Sequence, residues 1–203
     1  MTFNDMLTLE QTTIYETKAD KDGNFTIEAD IDDITLAQIA VDLDRVDILL
    51  RPNSKYEIEI NIPEQKDYVS YFEQQAPTIR VITSKDDDLY YQYHVSDIII
   101  DDFLLNNFNL LYRSRKISLL DSLDAEIKKN LSEIKSDFVK DNIRYRKAAM
   151  QMVVNNDNGK KVINQHFNKN DILYSQPAYM NLFQEAFANY LSSNQFPPSE
   201  LRY

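Results

Sequence analysis

Only two side chains in this 203-residue chain, His94 and His166, ordinarily change charge near neutral pH. A metal pair or catalytic dyad on a helix needs a second ligand or partner three or four residues away. His94 has Asp97 at that spacing and His166 has no acid or histidine there, so a structural or surface role is favoured for both. Acidic groups are the next candidates. Asp86, Asp87 and Asp88 are consecutive, whereas a calcium loop needs spaced oxygens around a tight glycine turn, so helix-cap acidity is favoured. Asp20, Asp22 and Asn24 alternate as calcium ligands do. However, glycine stands at position 23 and the distant glutamate of an EF-hand is missing, which favours a hairpin turn. Asp101 and Asp102 could share acid–base work, but neighbouring helical positions point about 100° apart, and surface placement is favoured.

What the chain lacks narrows the chemistry further. The absence of cysteine removes disulfides, thiolate metal sites, nucleophilic thiols and a redox CxxC. Two glycines cannot supply a glycine-rich phosphate loop or a dinucleotide fingerprint. A net charge of −11 disfavours nucleic acid and anionic membranes as partners. Two basic groups, Arg113/Arg115/Lys116 and Arg144/Arg146/Lys147, have acids close in sequence and read as solvated helix faces. The expectation is therefore a non-enzymatic chain with no catalytic, cofactor-binding or metal residue. A metal-free hydrolase would require two acids converging in one cleft with perturbed pKa values.

Thirteen tyrosines and ten phenylalanines remain. Tyr90, Tyr91 and Tyr93 are concentrated beside a change of pattern near residue 86, and are the candidate binding residues. Packing at a seam between sheet and helices is favoured over a surface for peptide or glycan.

That change of pattern defines the elements. Before residue 86, apolar residues alternate with polar ones, as in strands. Asn24–Ile31 is the clearest case, preceded by a polar turn at 20–23 and predicted to pair with a strand around Thr12–Thr17. Ile39, Val41 and Leu43, then Val46, Ile48 and Leu50, flank a predicted turn at Asp44–Arg45. Further strands are predicted at Tyr56–Ile62 and Thr78–Thr83, with a polar, aromatic excursion over 63–77 between them. After residue 86 the apolar period becomes helical. One helix is predicted over Asp88–Tyr112 with Ile100, Leu104, Phe108 and Leu111 inward. A second carries Leu120, Leu123, Ile127, Leu131, Ile134 and Phe138, and either continues or restarts at Ser136–Asp137 before reaching Val154. A turn over Asn155–Gly159, a short helix over Lys160–Phe167 and a last helix opened by Pro177 complete the pattern. The fold class is α+β. An antiparallel β-sandwich-like domain (1–85) precedes an α-helical bundle domain (86–195) and a tail or linker (196–203).

The segment Lys18–Ile31, KADKDGNFTIEADI, together with Arg51–Ile60, RPNSKYEIEI, resembles a pair of strands in bacterial envelope proteins. They are similar to the N-terminal module of secreted thioredoxin-like thiol-disulfide oxidoreductases. Asn142–Ala148 (NIRYRKA) and Gln176–Leu182 (QPAYMNL) resemble the helical region that follows it. The family's activity belongs to a C-terminal CxxC domain, so the resemblance implies the non-catalytic front part and carries over no catalytic residue. It also implies a cell-envelope or periplasmic location. From the residues alone, no apolar run nears the ~20 needed to span a bilayer, and Met1–Glu10 lacks a signal-peptide pattern. A cytoplasmic location is then the alternative, unless the chain begins after a removed signal. The expected role is a scaffold or partner-recognition module. The alternative is a peptide- or glycan-binding domain using the junction tyrosines. No residue pattern specifies an oligomeric state.

Overall fold

Alternation over residues 35–50 produces the most extensive strand pairing among the described residues. In a computed structural model, which describes residues 1–192 except 6, 7, 9, 43, 64–76, 85–87, 132 and 169 (and only the backbone at 4, 83, 84 and 88), β3 (Thr35–Val41) pairs antiparallel with β4 (Asp44–Leu50). Ile39 lies opposite Val46 and Ala37 opposite Ile48, and all four are buried. A slip of one residue would turn one of these rows outward, so the apolar pattern selects the register. The two-residue connection falls at 42–43, with Asp42 at φ 54, the left-handed conformation such hairpins use. Asp44 and Arg45, the predicted turn, therefore belong to β4, one register step beyond the turn.

Two short strands complete the first sheet. β1 (Thr2–Asn4) pairs with β3 and with β2 (Gln11–Thr13), giving the order β2-β1-β3-β4. A second sheet joins β5 (Tyr56–Asn61) to β6 (Thr78–Ser84), with a bulge that leaves the exposed Ile82 as the extra residue. Ile58, Ile60 and Ile79 of this second sheet pack against the buried Ala37, Ile39, Val46 and Ile48. The Tyr56 hydroxyl accepts from the Arg51 backbone N–H at 3.0 Å, tying the β4–β5 link to the second sheet.

Asn24–Ile31 overturns an expectation. Phe25, Ile27, Ala29 and Ile31 are half-buried and their neighbours exposed, but the segment belongs to neither sheet, and β2 pairs with β1 instead. Alternation specifies a face, whereas a ladder also needs a free edge of matching length. The turn before it does form. The Asp20 carboxylate accepts from the N–H groups of Asp22 (2.8 Å) and Asn24 (2.9 Å), and Gly23 takes φ 83. The Asn24 bonds, backbone first and then side chain, hold that carboxyl below its usual value. The acid is thus occupied in building the turn.

The chain divides into two compact units, Met1–Tyr90 and Tyr91–Tyr203. Altogether it is α+β, with antiparallel strands in two sheets and five α-helices among the described residues. Helix α1 (Asp88–Phe108) runs into a π-helical turn, Asn109–Arg113. Ile100 and Leu111 are buried as predicted, with Ile99 and Phe103 buried beside them, but Phe108 is exposed and stacks on Tyr112 with ring centres 4.8 Å apart. At about 100° per residue, Phe108 sits about 80° from Ile100, at the edge of the stripe, whereas Leu111 returns to about 20°. Helix α2 (Leu119–Asn130) stops at Leu131, which is extended (φ −121, ψ 96) yet buried, and α3 (Asp137–Asn155) begins afresh. The apolar period thus outlasts the helix. Asn156, at φ 52, closes α3: its own N–H and that of Asp157 bond back to Val153 and Met152 carbonyls. Helices α4 (Gly159–His166) and α5 (Pro177–Ser192) follow. The capping residues expected at Asp86–Asp87, the excursion at 64–76, Leu43 and the tail lie outside the described residues.

Candidate functional site

The helical unit holds a cleft of about 380 Å³ walled by α1, the π turn, α3 and α5. It is built from spacings of four. Asp97 and Asp101 share one face of α1, as Asn142 and Arg146 share one face of α3. Asp97 Oδ1 accepts from Asn142 Nδ2 at 2.8 Å and from Arg146 Nη1 at 2.7 Å, while Arg146 Nη2 donates to Asp101. The guanidinium fork is thus split between two carboxylates one helical turn apart. Burial alone would lower the pKa of Arg146, but the hydrogen bonds to Asp101 and Asp97 outweigh it and raise the value. Asn142 is 2% exposed and the Arg146 side chain 24%, so the Asp97 side of this joint is largely removed from water, while Asp101 is exposed.

Aromatic and apolar groups form the rest of the wall. Tyr93, Tyr112 and Tyr145 border the cleft with Met150 and Leu182, and Asn181 and Glu185 stand on its α5 side. Tyr93 rests on Phe138 at 5.9 Å. Tyr145 is buried against Tyr179, edge to face at 5.0 Å, with Arg144 above its ring at 5.1 Å. Burial pushes the Tyr145 phenol up, partly offset by Arg144. The buried Gln176 fixes the start of α5: its Nε2 donates to the Phe138 carbonyl at 2.8 Å and its Oε1 accepts from the Ala178 N–H at 3.3 Å.

The three tyrosines singled out from the sequence point in different directions. Tyr90 packs on the core of the first unit, Tyr91 is 59% exposed, and Tyr93 lines the cleft. His94 is exposed. His166 lies in an aromatic group, 6.3 Å from the Tyr145 ring, and its Nδ1 is buried without a hydrogen-bond partner among the described residues. Burial, then the Arg144 cation, holds that imidazole below its ordinary value. Among the described residues no three histidine, cysteine or acidic side chains group as metal ligands, and no helix is long and apolar enough to cross a membrane.

One reading of charge is corrected. Arg146 and Lys147 do not form a solvated face: Lys147 is 20% exposed and paired with Asp124. Asp101 and Asp102 are both exposed, as expected, and Asp101 meets Arg146 alongside Asp97. The i,i+4 spacing of Asp97–Asp101 and Asn142–Arg146 was the available signal for the joint. Their pairing across two helices was not visible along the chain. Asn142–Ala148 and Gln176–Leu182 both contribute walls to this cleft.

No family model, curated protein or solved structure matches the chain.

Proposed function

We propose that the chain is a non-enzymatic partner-recognition module, a sandwich-like sheet pair followed by a helical bundle, in which the cleft of the helical unit receives a peptide or glycan. The observation that carries this reading is the cleft itself. At about 380 Å³ it falls within the ~300–1,000 Å³ range of ligand sites, and it combines tyrosines with a rigid polar joint. The two acids that converge there, Asp97 and Asp101, converge on a cation, which suits holding the wall better than acid–base work. Within the same proposal, a position in the bacterial envelope, ahead of a thioredoxin-like domain, is a reading supported by the resemblance of Lys18–Ile31, Arg51–Ile60, Asn142–Ala148 and Gln176–Leu182.

The test is NMR titration of the ¹⁵N-labelled chain with short peptides and oligosaccharides. Shifts gathered on the cleft walls of α1, α3 and α5 support recognition. Turnover in a broad hydrolase screen that disappears in Asp97→Asn would sink the non-enzymatic reading. Cell fractionation tests the location, and a CxxC-bearing domain in the same gene product tests the context.

A further inference from the structure

Among the described residues a single buried side-chain nitrogen or oxygen lacks a hydrogen-bond partner, Nδ1 of His166. It stands at the end of α4. This helix has eight residues, too few to hold its shape without packing. Its start is pinned by the Gly159 N–H on Asn189 Oδ1 at 2.7 Å, and its middle by the buried Val162. Rings hold its end. The His166 imidazole stands edge to face on Tyr145, and Phe167 meets Tyr179 at 5.0 Å and Phe183 at 5.5 Å.

A neutral imidazole carries one N–H, and a second proton makes both nitrogens donors. That proton would leave a donor or a charge buried among rings with no acceptor at Nδ1. The surrounding groups do not compensate. From α3, Arg144 is a cation and opposes a second positive charge, while Asp141 pairs with Arg144 at 4.0 Å and is not among the charges acting on His166. Tyr145 of α3 and Tyr179 of α5 are phenols whose ionisation burial pushes up, so they stay neutral in acid. Glu185, the acid of α5, is exposed and borders the cleft. On α4 itself Lys160 and Lys161 are cationic, and Lys161 pairs with Asp157 at 2.6 Å. Carbonyls at a helix end favour a cation, but two of them are already engaged: that of Ile163 accepts from the Phe167 and Asn168 N–H groups, and that of His166 from Asn170 Nδ2.

We propose that the end of α4 is an acid-released latch: protonation of His166 undocks residues 163–168 from Tyr145 and Tyr179 while Gly159 stays anchored, and so loosens Tyr145, a wall of the cleft. Burial, then Arg144, holds the docked imidazole below its ordinary 6.5, whereas the released ring meets water and takes up the proton. Release therefore grows as pH falls below about 6.5. The latch does not depend on what the cleft receives.

The experiment is hydrogen–deuterium exchange of the full chain between about pH 7.5 and 5, corrected for the intrinsic pH dependence of exchange, alongside NMR titration of the His166 ring. Amides of 163–168 are expected to lose about tenfold in protection toward the acid end, while those of α2 and α3 keep theirs. His166→Phe keeps a ring against Tyr145 and should abolish the loss. Arg144→Gln should shrink it, because the docked ring then accepts its proton more readily. His94→Asn, which alters the other histidine, should leave it unchanged. A His166 ring that titrates at or above about 6.5 in the folded chain overturns the latch whatever the variants do. So does protection at 163–168 that is indifferent to pH, a loss that persists in His166→Phe, or one shared equally by α2 and α3.

Discussion

At the residue scale, burial decides which charges matter. Arg80 and Glu59 form an ion pair on the second sheet with both side chains well exposed, the situation in which pairs contribute about 0–1 kcal/mol. Arg146 meets two carboxylates with most of its side chain out of water, and its removal would take a charged donor from Asp97, leaving it the neutral amide of Asn142. Arg146→Ala should therefore cost about 1–3 kcal/mol in urea unfolding, and Arg80→Ala within about 1 kcal/mol of nothing. Equal losses would refute the ranking. His166 gives a pH dependence of definite sign. Its folded-state pKa lies below the ordinary 6.5, so the folded form resists protonation more than the unfolded chain does. Its contribution is intact above about pH 6.5 and is lost as pH falls through the lowered pKa. Thermal melts between pH 8 and 5.5 should show stability declining on the acid side, and His166→Phe should flatten that part of the profile.

Element-scale behaviour turns on close approach and on where helices stop. A Cβ on Gly159 would lie 2.0 Å from the Ala186 carbonyl oxygen and 2.6 Å from the Tyr190 nitrogen, both backbone atoms of α5. The Gly159 N–H donates to Asn189 Oδ1 at 2.7 Å, which holds the start of α4 against that helix. Gly159→Ala must push two backbones apart, at a cost of about 1–3 kcal/mol or more by chemical denaturation. Gly23→Ala has open space around it and meets only the strain of its positive φ. An indifferent Gly159→Ala would mean that α4 does not seat on α5 as described. Most elements were legible: period two over 35–50 and period 3.6 over 119–130 both reflect one buried face. The failures share a cause. Asn24–Ile31 alternates without joining a sheet, and Leu131 stays buried beyond the end of its helix, because burial pattern and hydrogen-bond partner are separate properties.

Across the whole molecule, an excess of acid works against compactness. With 33 acidic and 22 basic residues, self-repulsion should exceed the gain from exposed ion pairs. Raising salt from about 10 to about 150 mM shortens the Debye length from ~30 to ~8 Å, so Tm should rise. A fall in Tm would show that pairs such as Arg146 with its aspartates dominate the balance.

The α+β class, the change from strands to helices and most inward-facing residues follow from local periodicity, because a strand or helix hides one face wherever it lies. The exclusion of thiol chemistry and glycine-rich phosphate loops follows from composition alone. The cleft does not. Asp97 and Asn142 are 45 residues apart in the chain, and Gln176 and Phe138 are 38 apart, yet they share hydrogen bonds. Which residues meet across such separations depends on how helices seat against one another, and only the tertiary structure decides that. It placed Tyr93 in the site, left Tyr91 exposed outside it, and turned a run of basic residues read as solvated into the joint that holds the cleft's wall.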